Sequence, residues 1–326
     1  MTSLMDLPLE IRLMIFKETI NGRRTPPMPP SKSHRGEITY WQYRDSCHRH
    51  KLCHEVSDSY GPSNSLPLLL TSRQASVETQ SILNRMKKTT YVLDLSILNE
   101  EKMFTTWILV PRLTTRLSTL HIDVRLFGHM FTSNDVQEKR VRRYRDNNGL
   151  SRFFYEFLER FLLYGTLDKK GSSGISLEDR VITVENLVLD FRSAETKLPF
   201  PPSDMDYSDW MKKDFGNSRF GNEQVDEDEA LKYTTRPEWP LCTWSTWLRG
   251  MTIMRNINEM YGGLIYERIG TISMLVNGRL ETTVDLTGEL AKVHVYSPLD
   301  TWVETTLVGR EAHGFPFVQP QDLDRG

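Results

Sequence analysis

The chain is short of cysteine. Three in 326 residues, an odd number, exclude a secreted disulfide framework and point to a reducing compartment. It also lacks a long apolar run. No stretch approaches the roughly 20 residues that cross a bilayer as a helix, and Asp6 and Glu10 interrupt the first segment where a secretory signal would be uniformly apolar. There is no excess of one charge: 41 Lys and Arg against 43 Asp and Glu leave −2. A field that weak recruits neither nucleic acid nor an anionic membrane. Gly-rich phosphate loops, Gly-x-Ser-x-Gly elbows, His-Glu-x-x-His pairs and dinucleotide fingerprints are missing as well. These absences predict a cytoplasmic or nuclear protein that is no enzyme and needs no cofactor. What remains, 38% hydrophobic and 26% charged residues at this length, buries the core of one large domain or two smaller ones.

The best fold signal is a strand signature met three times. Tyr91-Val92-Leu93-Asp94-Leu95, Leu120-His121-Ile122-Asp123-Val124 and Leu187-Val188-Leu189-Asp190-Phe191 share one pattern. Period-two alternation puts Leu93, Ile122 and Leu189 on an apolar face and the aspartates opposite. Two copies continue into Arg125 and Arg192, so the polar face can pair charges. The first two copies lie at a leucine-rich-repeat-like interval and the third much further on, which predicts an irregular strand–helix array building one sheet. Helices are predicted over 135–146, which opens in capping-box spacing, and over 151–164, which carries a broad Phe/Leu stripe ending at Gly165. A further helix is expected over 244–261. Residues 269–276 and 281–286 read as a hairpin around Asn277-Gly278, with an edge strand after it at 293–296. Residues 195–240, bounded by prolines and holding the acidic run 226–229, read as a low-order loop. The fold class is therefore mixed α/β, divided into a helical segment 1–88 with an insertion at 22–65, a sheet domain 89–308 and a frayed tail 309–326.

The N-terminal segment is the most specific one. In Leu7-Pro8-Leu9-Glu10-Ile11-Arg12-Leu13-Met14-Ile15-Phe16, a Leu-Pro pair launches a helix that stops near Asn21-Gly22. Pro8 suits a first helical turn, and Ile11, Met14 and Ile15 recur at helical spacing with Glu10 and Arg12 turned away. After the proline-rich insertion, apolar density returns at Leu66-Pro67-Leu68-Leu69-Leu70, and a second helix is expected over 68–86 with Leu69, Ser72, Thr79 and Leu83 on one face. Leu-Pro-x-Glu-Ile-Arg followed by Leu-Leu-x-Thr-x-Arg-Gln-x-x-x-Glu-Thr (ending at Glu78 and Thr79) resembles the F-box, and is similar to a group of F-box-like proteins of filamentous fungi. That resemblance covers residues 3–125. It implies a non-enzymatic substrate-recognition subunit that docks the linker subunit of a cullin–RING ubiquitin ligase through Leu7, Pro8, Ile11, Ile15, Leu69 and Arg73. The sheet domain would hold an unknown protein target. The alternatives are a structural or protein-interaction domain whose first helix completes the core, or an enzyme with an unreadable site.

Other constellations have plainer readings. Cys47, His50, Cys53 and His54 are zinc-type ligands, and Cys47, His50 and His54 would share a helix face. All sit within eight residues, however, where zinc sites draw pairs from separated segments, so a polar loop is expected and no metal. The basic run 139–145 reads as a solvated helix surface in preference to a nuclear import signal. Parallel strands would stack Asp94, Asp123 and Asp190 about 4.8 Å apart. With Arg125 and Arg192 as counter-charge, a structural ladder is expected in place of a carboxylate site.

Overall fold

The computed structural model describes residues 4–26, 35–38, 51–55, 63–98, 102–127, 149–166, 181–193, 199–205, 263–292 and 301–316, with 234, 236–242 and 244–245. It is mixed α/β, as the sequence predicts. The strands are β1 (Arg35–Ile38), β2 (Lys51–Glu55), β3 (Thr90–Leu98), β4 (Lys102–Leu109), β5 (Arg116–Phe127), β6 (Thr183–Arg192), β7 (Ile269–Val276) and β8 (Arg279–Asp285). They form one sheet in the order β1-β2-β4-β3-β5-β6-β7-β8. At its centre β3, β5, β6 and β7 run parallel, flanked by antiparallel β4 and β8. The three signature segments are neighbours in register: Leu93 faces Ile122, which faces Leu189, and Asp94, Asp123 and Asp190 follow one position on. Among the described residues, the interval between the first two copies holds an antiparallel strand, β4, and no helix. Repetition is thus confined to the strands.

One face of this sheet builds the core. Leu93, Leu95, Leu120, Ile122, Leu187, Leu189, Phe191 and Met274 are all buried on it, because alternation brings every second residue there. The helix α4 (Gly149–Tyr164) covers that face with Phe154, Phe157, Leu158, Phe161 and Leu162, and stops at Gly165, whose φ of 77° suits glycine. Trp244 wedges between Phe154 (4.7 Å) and Phe191 (5.4 Å, edge-on). Further cover comes from α5 (Gly263–Arg268), α6 (Leu286–Ala291) and α7 (Thr301–Ala312). The β7–β8 hairpin turns at Asn277 (φ 49°) and Gly278 (φ 81°), the type I′ chemistry that Asn-Gly favours.

The N-terminal unit departs from expectation in two places. Helix α1 (Leu9–Ile20) has Pro8 as its N-cap and not within its first turn, and it ends at Asn21 as expected. The expected single helix over 68–86 is two, α2 (Ser65–Thr71) and α3 (Arg73–Arg85). Ser72 breaks it: its backbone is extended and its Oγ accepts from the Ala75 N–H, an N-cap that serine performs well. Asn64 ties the unit together, donating from Nδ2 to the Ile20 carbonyl at the end of α1 and to the Gly22 carbonyl just beyond it. Its own N–H donates to the Val110 carbonyl beside β4. Arg112 donates to Thr89 Oγ1 and to the Leu83 and Met86 carbonyls, fixing the end of α3 to the start of β3.

The tail and the middle loop also need correcting. Residues 309–316 are not frayed: Arg310 is fully buried and donates to the Tyr266, Ile269 and Pro316 carbonyls and to Thr287 Oγ1. Within 195–240, Pro201, Thr234 and Trp239 are buried, so part of that stretch packs on the domain. The expected helix over 135–146, the basic run 139–145, most of the helix over 244–261 and the edge strand at 293–296 lie outside the described residues.

Candidate functional site

Helix α1 carries apolar residues all the way round: Leu9, Ile11, Leu13, Met14, Ile15, Phe16 and Ile20 among twelve positions. Two stripes therefore compete for the core. The winner contains Arg12, Phe16 and Ile20, which are buried, and the loser contains Ile11, Met14 and Ile15, which are 43%, 64% and 39% exposed. Arg12 thus points away from the Ile11/Met14/Ile15 stripe as the helical spacing predicts, but into the core and not to solvent. The physical cause is Glu78 on α3. Arg12 Nε donates to Glu78 Oε2 at 3.1 Å and Nη2 to Oε1 at 2.6 Å, with both side chains only 9% exposed. Arg12 Nη1 also donates to the Met5 (3.2 Å) and Leu7 carbonyls, and Gln74 Nε2 donates to Glu78 Oε1. The Arg12 hydrogen bond holds the Glu78 carboxyl below its ordinary value against the opposing effect of burial. A bidentate pair of this kind satisfies a guanidinium that would otherwise be too costly to bury.

Of the residues expected to dock a partner, Pro8, Ile11 and Ile15 are exposed and Leu7 is half-buried. Arg73, the first residue of α3, is exposed, while Leu69 on α2 is half-buried. Leu4, Leu9, Met14 and Leu70 are large exposed hydrophobics of this unit that the sequence reading did not single out as docking residues. Leu70 stands directly beside Leu69, and Met14 lies on the helical stripe already read.

The second constellation is the polar face of the sheet. Asp94, fully buried, accepts from Arg125 Nε at 2.5 Å and from Ser96 Oγ at 2.7 Å. Half-buried Asp123 accepts from Arg192 Nε at 2.5 Å and lies 3.2 Å from His121 Nε2. Burial pushes the Asp123 carboxyl up, yet the His121 hydrogen bond and the Arg192 charge outweigh it and hold the carboxyl below its ordinary value. Asp190 Oδ1 accepts from the Gly278 N–H at 2.9 Å, and Oδ2 lies 2.9 Å from Arg192 Nη2, an ion pair out of line for a hydrogen bond. The expected charge ladder with Arg125 and Arg192 is therefore present. Sequence reasoning missed His121, whose place two residues before Asp123 on the same strand face was the available signal.

Cys53 and His54 lie on β2, an extended strand, so the helix that would gather Cys47, His50 and His54 on one face is absent there. Cys47 and His50 lie outside the described residues. Among the described residues the one cluster with metal-ligand spacing is His121, Asp123 and Asp190, and no helix is long and apolar enough to cross a membrane. No protein-family model, curated protein or solved structure matches the chain.

Proposed function

We propose that this protein is a non-enzymatic substrate-recognition subunit of a cullin–RING ubiquitin ligase, acting in the cytoplasm or nucleus. The apolar stripe of α1 would dock the linker subunit, and the sheet domain would hold a protein target. One observation carries the reading: α1 buries an arginine and leaves Ile11, Met14 and Ile15 in water. A helix that only completed the core would bury those three and expose Arg12. An exposed apolar stripe on an otherwise well-packed domain marks an interface. The Leu7-Pro8-x-Glu-Ile-Arg opening supplies the F-box resemblance, and Leu69 and Arg73 belong to the same helical unit.

The test is co-purification of the full chain with a linker subunit from the same source, using the wild type and an Ile11→Ala/Ile15→Ala variant. Both side chains are more than a third exposed, so the substitution moves the melting temperature little while linker capture is lost. Failure of the unmutated protein to bind the linker refutes the ligase reading. A fall in stability that accompanies lost capture refutes the docking role of the stripe.

A further inference from the structure

Among the described side chains on the polar face of the sheet, carboxylates outnumber guanidiniums. Asp94 and Arg125 neutralise one another. That leaves Asp123 and Asp190 sharing the guanidinium of Arg192, one positive charge short among the described residues when His121 is neutral. The deficit falls on a poor place for it: Asp190 is 0% exposed, and its Oδ2 accepts no hydrogen bond. This oxygen is nevertheless held in a fixed direction. The hairpin turn clamps the end of β6, with the Asn277 N–H on the Phe191 carbonyl and the Gly278 N–H on Asp190 Oδ1. Orientation of a carboxylate by a backbone donor on its other oxygen is the arrangement that supports ligands in metal sites.

The donor atoms are already gathered. His121 Nε2 lies 3.2 Å from Asp123 Oδ1 and 3.9 Å from Asp190 Oδ2, and all three atoms fall within 4.8 Å of one another. Bonds of about 2.1 Å place tetrahedral ligands roughly 3.4 Å apart, so the widest edge of the triangle, at up to 4.8 Å, has to close by about 1.4 Å. We propose that His121, Asp123 and Asp190 form a binding site for one Zn2+, and that Arg192 is the resident cation it displaces. Arg192 is 44% exposed on its side chain, which leaves it room to turn to solvent. Exchange replaces a charge of +1 with +2 and removes the deficit. One neutral imidazole with two carboxylates suits Zn2+ better than Mg2+, which demands an octahedron of oxygens. The ion would staple β5 to β6 across the register pair Asp123–Asp190.

Titration of the metal-free full chain with Zn2+ by calorimetry, alongside a Co2+ absorption spectrum, tests the site. One Zn2+ per chain is expected, with Mg2+ silent and with no thiolate charge-transfer band from Co2+. That last readout separates this site from the cysteines at 47 and 53. His121→Ala should weaken binding about 10-fold or more. Arg192→Gln should tighten it, a gain that a misfolded variant cannot imitate. Absence of a bound Zn2+ in the wild type, a thiolate band, binding that survives His121→Ala, or an Arg192→Gln variant no tighter than wild type would each overturn the proposal.

Discussion

The buried pair Arg12–Glu78 decides which stripe of α1 faces outward, and its removal has a calculable signature. Arg12→Met keeps the aliphatic stem and leaves the Glu78 carboxylate, only 9% exposed, with the Gln74 amide as its remaining partner. Removing one member of a solvent-shielded pair strands a charge and destabilises the packing of α1. A pair open to solvent would contribute little, so its loss would leave α1 unchanged. Glu78→Leu strands the guanidinium against the Met5 and Leu7 carbonyls and should cost a similar amount. The double variant replaces both charges with apolar groups and should return to within about 1 kcal/mol of wild type or exceed it. Amide hydrogen exchange across Phe16 and Ile20 reads the opening of α1 directly. Loss of the pair should accelerate that exchange about 10-fold or more. The single variants should show that acceleration and the double variant should not. Because the Glu78 carboxyl is held below its ordinary value, its contribution is present above the unfolded glutamate pKa and is lost as pH falls through the lower, folded one. Protection of α1 should therefore persist through mildly acidic pH and collapse only below the usual carboxylate range. Acceleration under 10-fold in Arg12→Met, or a double variant more labile than either single one, would refute the account of α1's orientation.

Three other expectations concern the sheet. Ile122→Ala or Leu189→Ala, each at a fully buried position in the middle of the parallel strands, should cost about 2–5 kcal/mol in denaturant unfolding. Asp123→Asn should cost far less, on the order of 1 kcal/mol, because the amide oxygen still accepts from Arg192; an equal loss would mean the ladder, and not the apolar face, holds the strands. Burial pushes the Tyr91 phenol up to about 12, so the stability it contributes is complete below the unfolded pKa of about 10 and disappears as pH rises toward 12. Tyr91→Phe, which removes the bond to the Arg112 carbonyl, should abolish that alkaline slope while leaving neutral-pH stability lower by about 1 kcal/mol.

Local patterns made the sheet legible. Period-two runs of Leu, Val and Ile around Asp94, Asp123 and Asp190 are strands because both requirements, an apolar face and a compensated polar one, are met within five residues. The Phe/Leu stripe of α4 and the Asn277-Gly278 turn were readable for the same reason. Strand β4 was not read. In Lys102–Leu109 the alternate positions Met103, Thr105 and Trp107 against Phe104, Thr106 and Ile108 are similar in polarity, so no period stands out. Arg310 was placed in a tail because its acceptors, the Tyr266 and Ile269 carbonyls, lie more than forty residues earlier in the chain.

The burial of Arg12 on α1 is likewise invisible locally and has the largest functional consequence. From the helix alone, burying Ile11 and Ile15 and exposing Arg12 is the sound choice, since a lone guanidinium loses far more on leaving water than an isoleucine gains. Glu78, 66 residues away, inverts that balance. It supplies charge and two hydrogen bonds on a helix that α1 must contact in any case. With Arg12 satisfied, Phe16 and Ile20 follow it inward by helical spacing, and Ile11, Met14 and Ile15 are left outside with about the same apolar content. Two stripes of nearly equal hydrophobicity thus leave the choice between core and interface to one ion pair. The residues that could bind a partner are exposed because a charged residue took the place in the core that they would otherwise fill.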